Sequence, residues 1–170
     1  MVNTIAEVPM DARNPLYKRQ PPHHRKRWAC KLDPKLYNCP MIIVDTSVFL
    51  AAALDEPEKP AIVRLTTGTG MIGAPEILPY EIGNALSAMY RRQRLTEDEA
   101  ALTLNIALRM PVRLIAVDVG RALRLATEFG IYAYDAYFLE CANSNGGELL
   151  TLDKPMKRIA SQLGIRVLES

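Results

Sequence analysis

Four carboxylates stand where side chains are used for chemistry. Asp45 ends the apolar run "MIIVD", and Asp153 ends "ELLTLD". Asp135 lies at a helix start in the apolar context "YDAYF", and Glu81 sits in a helical stretch between Tyr80 and Ile82. Hydroxyls accompany the strand-end acids: Thr46 and Ser47 follow Asp45, and Thr151 precedes Asp153. Each acid alone has an ordinary structural explanation. Asp45 and Asp153 suit helix caps, Asp135 suits the positive end of a helix dipole, and Glu81 suits a solvated helix face. Together they carry more weight, because acids at the ends of buried strands share one edge of a sheet.

Carboxylates without His or Cys select a hard, oxygen-preferring cation. Mg²⁺ or Mn²⁺ fits such a donor set and zinc does not. Without a cation, neighbouring acids raise each other's pKa values. With one, the same site can activate water and neutralise charge on a phosphate. The chemistry expected is phosphodiester hydrolysis.

The elements that must position these acids follow from the hydrophobic pattern. "MIIV" reads as a buried strand, followed by a helix in "TSVFLAAAL" that Thr46 or Ser47 is available to cap. A short helix is expected in "PEKPAIVRLTTG" and a strand over Gly70–Pro75. A long helix spans Pro75–Arg94, with Ile77, Tyr80, Leu86 and Met89 near one face and Ile82 and Ala85 at its edges. Thr96 and Glu99 form a capping box for a helix over Glu97–Arg109. A strand over Val112–Asp118 leads to a helix closed by Gly130, and the helix beginning "YDAYF" is stopped by Asn145-Gly146-Gly147. "ELLTLD", "KPMKRIASQLG" and "IRVLE" read as strand, helix and strand. Strands alternating with helices predict an α/β fold: a three-layer α/β/α sandwich on a central parallel sheet.

Composition excludes several classes. No apolar run approaches the roughly 18 residues that span a membrane. The charged, Pro-rich N-terminus lacks the apolar core of a secretory signal. Three cysteines, Cys30, Cys39 and Cys141, make no disulfide framework, so a cytoplasmic setting is expected. The net charge of +2 conceals a division. Residues 1–40 hold eight Lys/Arg against three Asp/Glu, a net +5, and six of the twelve prolines. Residues 41–170 carry a net −3. Two units are therefore expected: a basic extension over 1–40, disordered or loosely attached, and a folded domain over 41–170. Met41 reads as the start of that folded unit, which makes 1–40 an upstream start-site assignment or an added extension. His23, His24, Cys30 and Cys39 match no standard zinc spacing. Ser47 has no His nearby to serve as its base, and no phosphate-binding Gly loop is present. Cys141 is expected in the core, and Tyr132, Tyr134 and Tyr137 in core and rim rather than in a stacking platform. Arg91, Arg92 and Arg94 make a solvated helix end, or phosphate contacts in a nuclease.

The pieces "MIIVDTSVFLAA", "APEILPYEIGNAL", "AVDVGRALRLATEFGIYAYDAYFLECA" and "LLTLDKPMKRIASQLGIRVL", in that order, resemble the PIN-domain family, specifically its VapC-like toxins. The resemblance implies an α/β nuclease with an acidic Mg²⁺ or Mn²⁺ site. It implies Asp45, Glu81, Asp135 and Asp153 as the catalytic acids, with Asp45 and Asp135 as direct ligands. Thr46, Ser47 and Thr151 fall where family members support the first and fourth acids. It further implies an RNA substrate, a homodimer and a cognate antitoxin protein. A catalytically quiet PIN module that binds RNA or a partner is the alternative. A phospho-accepting receiver or phosphatase shares only the strand-end acids.

Overall fold

A computed structural model describes residues 41–67 and 70–169. Residues 1–40, with His23, His24, Cys30 and Cys39, lie outside the described residues, as does the expected boundary at Met41.

The described chain alternates strands and helices. It runs β1 (Met41–Val44), α1 (Thr46–Ala53), α2 (Lys59–Thr66), β2 (Met71–Pro75), α3 (Leu78–Arg91) and α4 (Glu97–Arg109). It continues β3 (Arg113–Ile115), α5 (Val119–Phe129), α6 (Ala133–Asn145), β4 (Glu148–Leu150), α7 (Lys154–Gln162) and β5 (Val167–Leu168). The five strands form one parallel sheet in the order β3-β2-β1-β4-β5. Helices α5 to α7 form one group, in which α6 packs on β1, β2 and β4. The other group, α1 to α4, is held together by α1. This is the three-layer sandwich expected.

The strands that carry the site are the most buried. Ile42, Ile43 and Val44 of β1 and Leu149 and Leu150 of β4 are almost fully enclosed. They are continuous apolar runs because helices cover both faces of the sheet. Ile43 lies in register with Gly73 on one side and Leu149 on the other. The sheet order reverses between β1 and β4. In open α/β sheets the crevice at such a reversal is where ligands bind, beyond the carboxyl ends of the strands.

Several boundaries differ from the sequence pattern. The expected strand Val112–Asp118 shortens to Arg113–Ile115, an edge strand paired only to β2. Asp118 leaves the sheet to cap α5, accepting from Arg121 N–H at 2.9 Å. The long helix starts at Leu78 rather than Pro75, because Pro75 closes β2 and Pro79 occupies the first helical turn. Its buried stripe is Leu78, Ile82 and Leu86. Ile82 is therefore the centre of the face and not its edge, and Tyr80 is 74% exposed. The capping box of α4 forms with both bonds: Glu99 N–H to Thr96 Oγ1 at 3.2 Å, and Thr96 N–H to Glu99 Oε2 at 2.7 Å. Gly130 and Gly146 end α5 and α6 in the left-handed conformation, φ 64° and 58°, which only a residue without Cβ adopts cheaply.

Candidate active site

Asp45 is the residue at which β1 ends and α1 begins. Its N–H continues the sheet ladder to Leu150 C=O at 3.0 Å, so the backbone is fixed against β4. The carboxylate is only 4% exposed. Oδ2 accepts from Ser47 Oγ at 2.5 Å, Thr151 Oγ1 at 2.8 Å and Ser47 N–H at 3.4 Å, and none of these three bonds uses Oδ1. The Thr46 backbone also hydrogen-bonds the carboxylate. Asp45 is thus the cap of α1, in place of Thr46 or Ser47, with Oδ1 outside those three bonds. Capping and ligand-binding explanations of this residue are compatible.

Ser47 and Thr151 each fasten two chain segments. Ser47 Oγ, which donates to Asp45, accepts from Leu152 N–H at 3.1 Å. Thr151 Oγ1, fully buried, accepts from Asp153 N–H at 3.0 Å. The start of α1 is thereby tied to the loop that follows β4. Asp153 caps α7, accepting from Met156 N–H at 2.6 Å, and is exposed. Thr46 does something different from what its neighbours suggest. It donates from Oγ1 to Glu81 Oε2 at 2.6 Å, across 35 residues, and so supports the second acid instead of the first or fourth. Asp135 lies in the first turn of α6, half-buried.

Burial and neighbouring charge raise the pKa values of three of the four acids. Burial pushes the Asp45 carboxyl up, against the opposing pull of the Ser47 and Thr151 hydrogen bonds. Glu81 is pushed up to about 7, first by burial, then by the charges of Asp45 and Asp135, with the Thr46 bond opposing. Asp135 is pushed up to about 6 by burial and by the charges of Asp153 and Asp45. Thr46 ties Glu81 to the start of α1 beside Asp45, and Thr151 ties Asp45 to the loop that carries Asp153. These three acids therefore lie along the carboxyl edge of β1 and β4, with Asp135 in the first turn of α6, which packs on both strands.

The donors are all carboxylate oxygens, which suits a hard divalent cation. No three His, Cys, Asp or Glu side chains among the described residues are drawn tightly enough to close around an ion as they stand. A hard cation such as Mg²⁺ keeps several waters and takes only one or two carboxylates directly, so such an ion needs no closed cluster.

Other candidates fall away from these acids. Arg91, at the far end of α3, is ten residues from Glu81, about 15 Å along the axis. Arg91, Arg92 and Arg94 are exposed there, as expected of a solvated helix end. The Cys141 thiol is buried and pushed up to about 11 by burial and by Glu140, as befits an inert core residue. Tyr132, expected in core and rim, is 82% exposed.

One buried charge escaped sequence reasoning. Glu140, on α6, is 2% exposed and pairs through Oε1 with Arg121 Nε at 3.3 Å. Ser144 Oγ donates to the same oxygen, and Arg121 also meets Asp118 at 3.4 Å. The network pins α5 to α6. Its one sequence signal is position: Glu140 lies four residues beyond Ala136 and shares its inward face.

A family model described as PIN domain matches residues 42–162. A Pyrobaculum aerophilum protein, Ribonuclease VapC3, is 29% identical over 119 residues, covering 68% of this chain and 91% of that one. The Rickettsia felis VapBC2 structure, bound to a DNA fragment from their promoter, superposes with a TM-score of 0.56. It is 17% identical, covering 75% of this chain and 97% of that chain. Mycobacterium tuberculosis VapC20, described as a Sarcin-Ricin loop cleaving toxin, superposes with a TM-score of 0.52. It is 16% identical, covering 69% of this chain and 94% of that chain. Because the family model reaches from β1 through α7 and encloses all four acids, this chain belongs to the PIN-domain family.

Proposed function

We propose that this protein is a divalent-cation-dependent endoribonuclease and the toxin of a toxin–antitoxin pair, with residues 41–170 as its nuclease domain. The observation that carries the reading is Asp45: three donors hold one oxygen and leave the other out, and Glu81 is tied to the same segment through Thr46. The matched relative is named a ribonuclease, one similar fold is named VapBC2, and another is named VapC20 and described as a Sarcin-Ricin loop cleaving toxin. RNA as substrate, a cognate antitoxin as partner, a homodimer as the working unit and a cytoplasmic setting belong to the same reading. No described helix is long and apolar enough to cross a membrane.

Asp45 and Asp135 would hold Mg²⁺ or Mn²⁺ directly, and Glu81 and Asp153 would complete the site directly or through water. The cation supplies charge neutralisation at the phosphate and activation of water. The chain's own residues do the rest. Ser47 and Thr151 fix the rotamer of Asp45, so Oδ1 is presented without reorganisation. Glu81, whose pKa lies at about 7, exchanges a proton readily near neutral pH. Thr46 orients Glu81.

Purified protein with Mg²⁺ or Mn²⁺, offered a panel of structured RNAs, is expected to produce discrete new ends that Asp135→Asn abolishes. Identical end patterns from both proteins would remove the nuclease reading. Thr46→Val keeps side-chain shape and deletes the donor to Glu81. We expect Mn²⁺-dependent cleavage to fall about tenfold. A rate equal to wild type would show that Thr46 does not position Glu81.

A further inference from the structure

Asp135 differs from the other three acids in what holds it. Asp45 is held by Ser47 and Thr151, Glu81 by Thr46, and Asp153 by Met156 N–H. Among the described residues, none donates a hydrogen bond to the Asp135 carboxylate. Asp135 therefore stands wherever α6 puts it. On the sheet side, Phe138, Leu139 and Ala142 of α6 join the main core. The other large neighbour of α6 is α5. There the buried contact is made of small side chains: Ala122 and Ala126 of α5 cluster with Ala136 of α6. Methyl groups let two helices come close, but they make shallow ridges and grooves. Such a contact sets the distance between the helices more firmly than their register.

The directional contact between the two helices is charged. Glu140, 2% exposed, meets Arg121 Nε at 3.3 Å, and Ser144 donates to the same Glu140 oxygen. Arg121 also meets Asp118, the cap of α5, at 3.4 Å. One guanidinium thus joins the start of α5 to the middle of α6. A buried ion pair adds little net stability, because desolvation offsets the attraction, and its best-attested use is to fix register. Glu140 lies five residues beyond Asp135, about 7.5 Å along one helix. A slip of α6 on α5 is therefore passed to Asp135 in full. We propose that the Arg121–Glu140 pair sets the register of α6 on α5 and so places Asp135 for the cation. Both act through α6, as positioning residues. This rests on the divalent-cation reading of the acids.

Mn²⁺ binding to the full chain is measured without RNA, from the electron spin resonance of the free ion, and melting points are recorded in chelator. Arg121→Met together with Glu140→Leu replaces the pair by apolar side chains, and Ser144 can turn to the backbone carbonyl of position 140. Exchanges of this kind leave stability unchanged or higher. The expected result is a melting point at or above wild type with the Mn²⁺ Kd raised about tenfold. Arg121→Lys keeps a cation beside Glu140 and is expected to stay within about twofold of wild type. Glu140→Gln keeps shape and the Ser144 bond, and it is expected to raise Kd about threefold. It decides the matter if the double variant does not fold. Wild-type affinity in both the double variant and Glu140→Gln overturns the proposal. Affinity that falls only in step with the melting point overturns it as well, because that is an ordinary structural role. Arg121→Lys as weak as the double variant overturns it too, as does wild type that binds no Mn²⁺. Cutting is read separately: wild type that binds Mn²⁺ yet yields no new RNA ends contradicts the ribonuclease reading and leaves the placement of Asp135 standing.

Discussion

Asp45→Asn is expected to reduce RNA cleavage by about 10³-fold or more while leaving the thermal midpoint unchanged or slightly raised. The geometry makes these two outcomes separable. An Asn carbonyl oxygen can take the place of Oδ2 and accept the same bonds from Ser47 Oγ, Thr151 Oγ1 and Ser47 N–H. The amide nitrogen then occupies the position of Oδ1, outside those three bonds. Volume is conserved and the cap of α1 survives. What disappears is one negative charge at a site where burial already holds the carboxyl pKa up. Removing a desolvated charge costs the fold nothing. Removing a ligand forfeits several kcal/mol of transition-state charge stabilisation, which is roughly three orders of magnitude in rate. Asp45→Ala is the contrasting variant. It strands both hydroxyls and uncaps α1, so a stability loss of about 2–3 kcal/mol accompanies the loss of cutting. Asp45→Asn that cuts as wild type would leave Asp45 as a helix cap and nothing more. A large fall in its melting point would show that the charge itself is structural.

The parts of this molecule that sequence exposes are those governed by local pattern or by strand ends. β1 and β4 are legible because a strand covered on both faces is a short continuous apolar run, and Asp45 is legible because it ends the first. The second run reads too long, since β4 stops at Leu150 and Asp153 lies beyond it as the cap of α7. Thr96 with Glu99 is legible because a capping box is local. The partner of Thr46 is not, since the pairing to Glu81 spans 35 residues and depends on how α1 and α3 lie against each other. Asp45 rather than its hydroxyl neighbours caps α1 because Ser47 is turned back toward the carboxylate and the β4–α7 loop. The Glu140–Arg121 pair is likewise tertiary: neither helix marks its charge as buried. The apolar pattern over α3 misplaces Tyr80, because a tyrosine fits either side of an amphipathic helix and only packing shows that Leu78, Ile82 and Leu86 fill the core.

The second large effect is on stability, and its sign is set by the same acids. Without divalent cation, the melting point is expected to fall as pH rises from 5 to 8. Glu81 titrates in the fold at about 7 against an ordinary 4.5, and Asp135 at about 6 against 3.8. Between each pair of values the folded chain keeps a proton that the unfolded chain has released, so stability declines with rising pH. The advantage is complete below the ordinary values and gone above about 7. Both groups are partly open to solvent, so screening limits the total to about 1–3 kcal/mol, or roughly 3–8 °C. A divalent cation bound by the folded state acts in the opposite direction. At a hundred times its dissociation constant it adds about 2.7 kcal/mol, and it does so most where the acids are ionised. Melting curves in Mn²⁺ should therefore rise above those in chelator progressively from pH 5 to pH 8, and Asp135→Asn should remove much of the difference. Monovalent salt at matched ionic strength should not reproduce it, because screening weakens repulsion among the acids without occupying their oxygens. Curves that coincide with and without Mn²⁺ at every pH would mean that this ring of carboxylates carries its mutual repulsion for some purpose other than holding an ion.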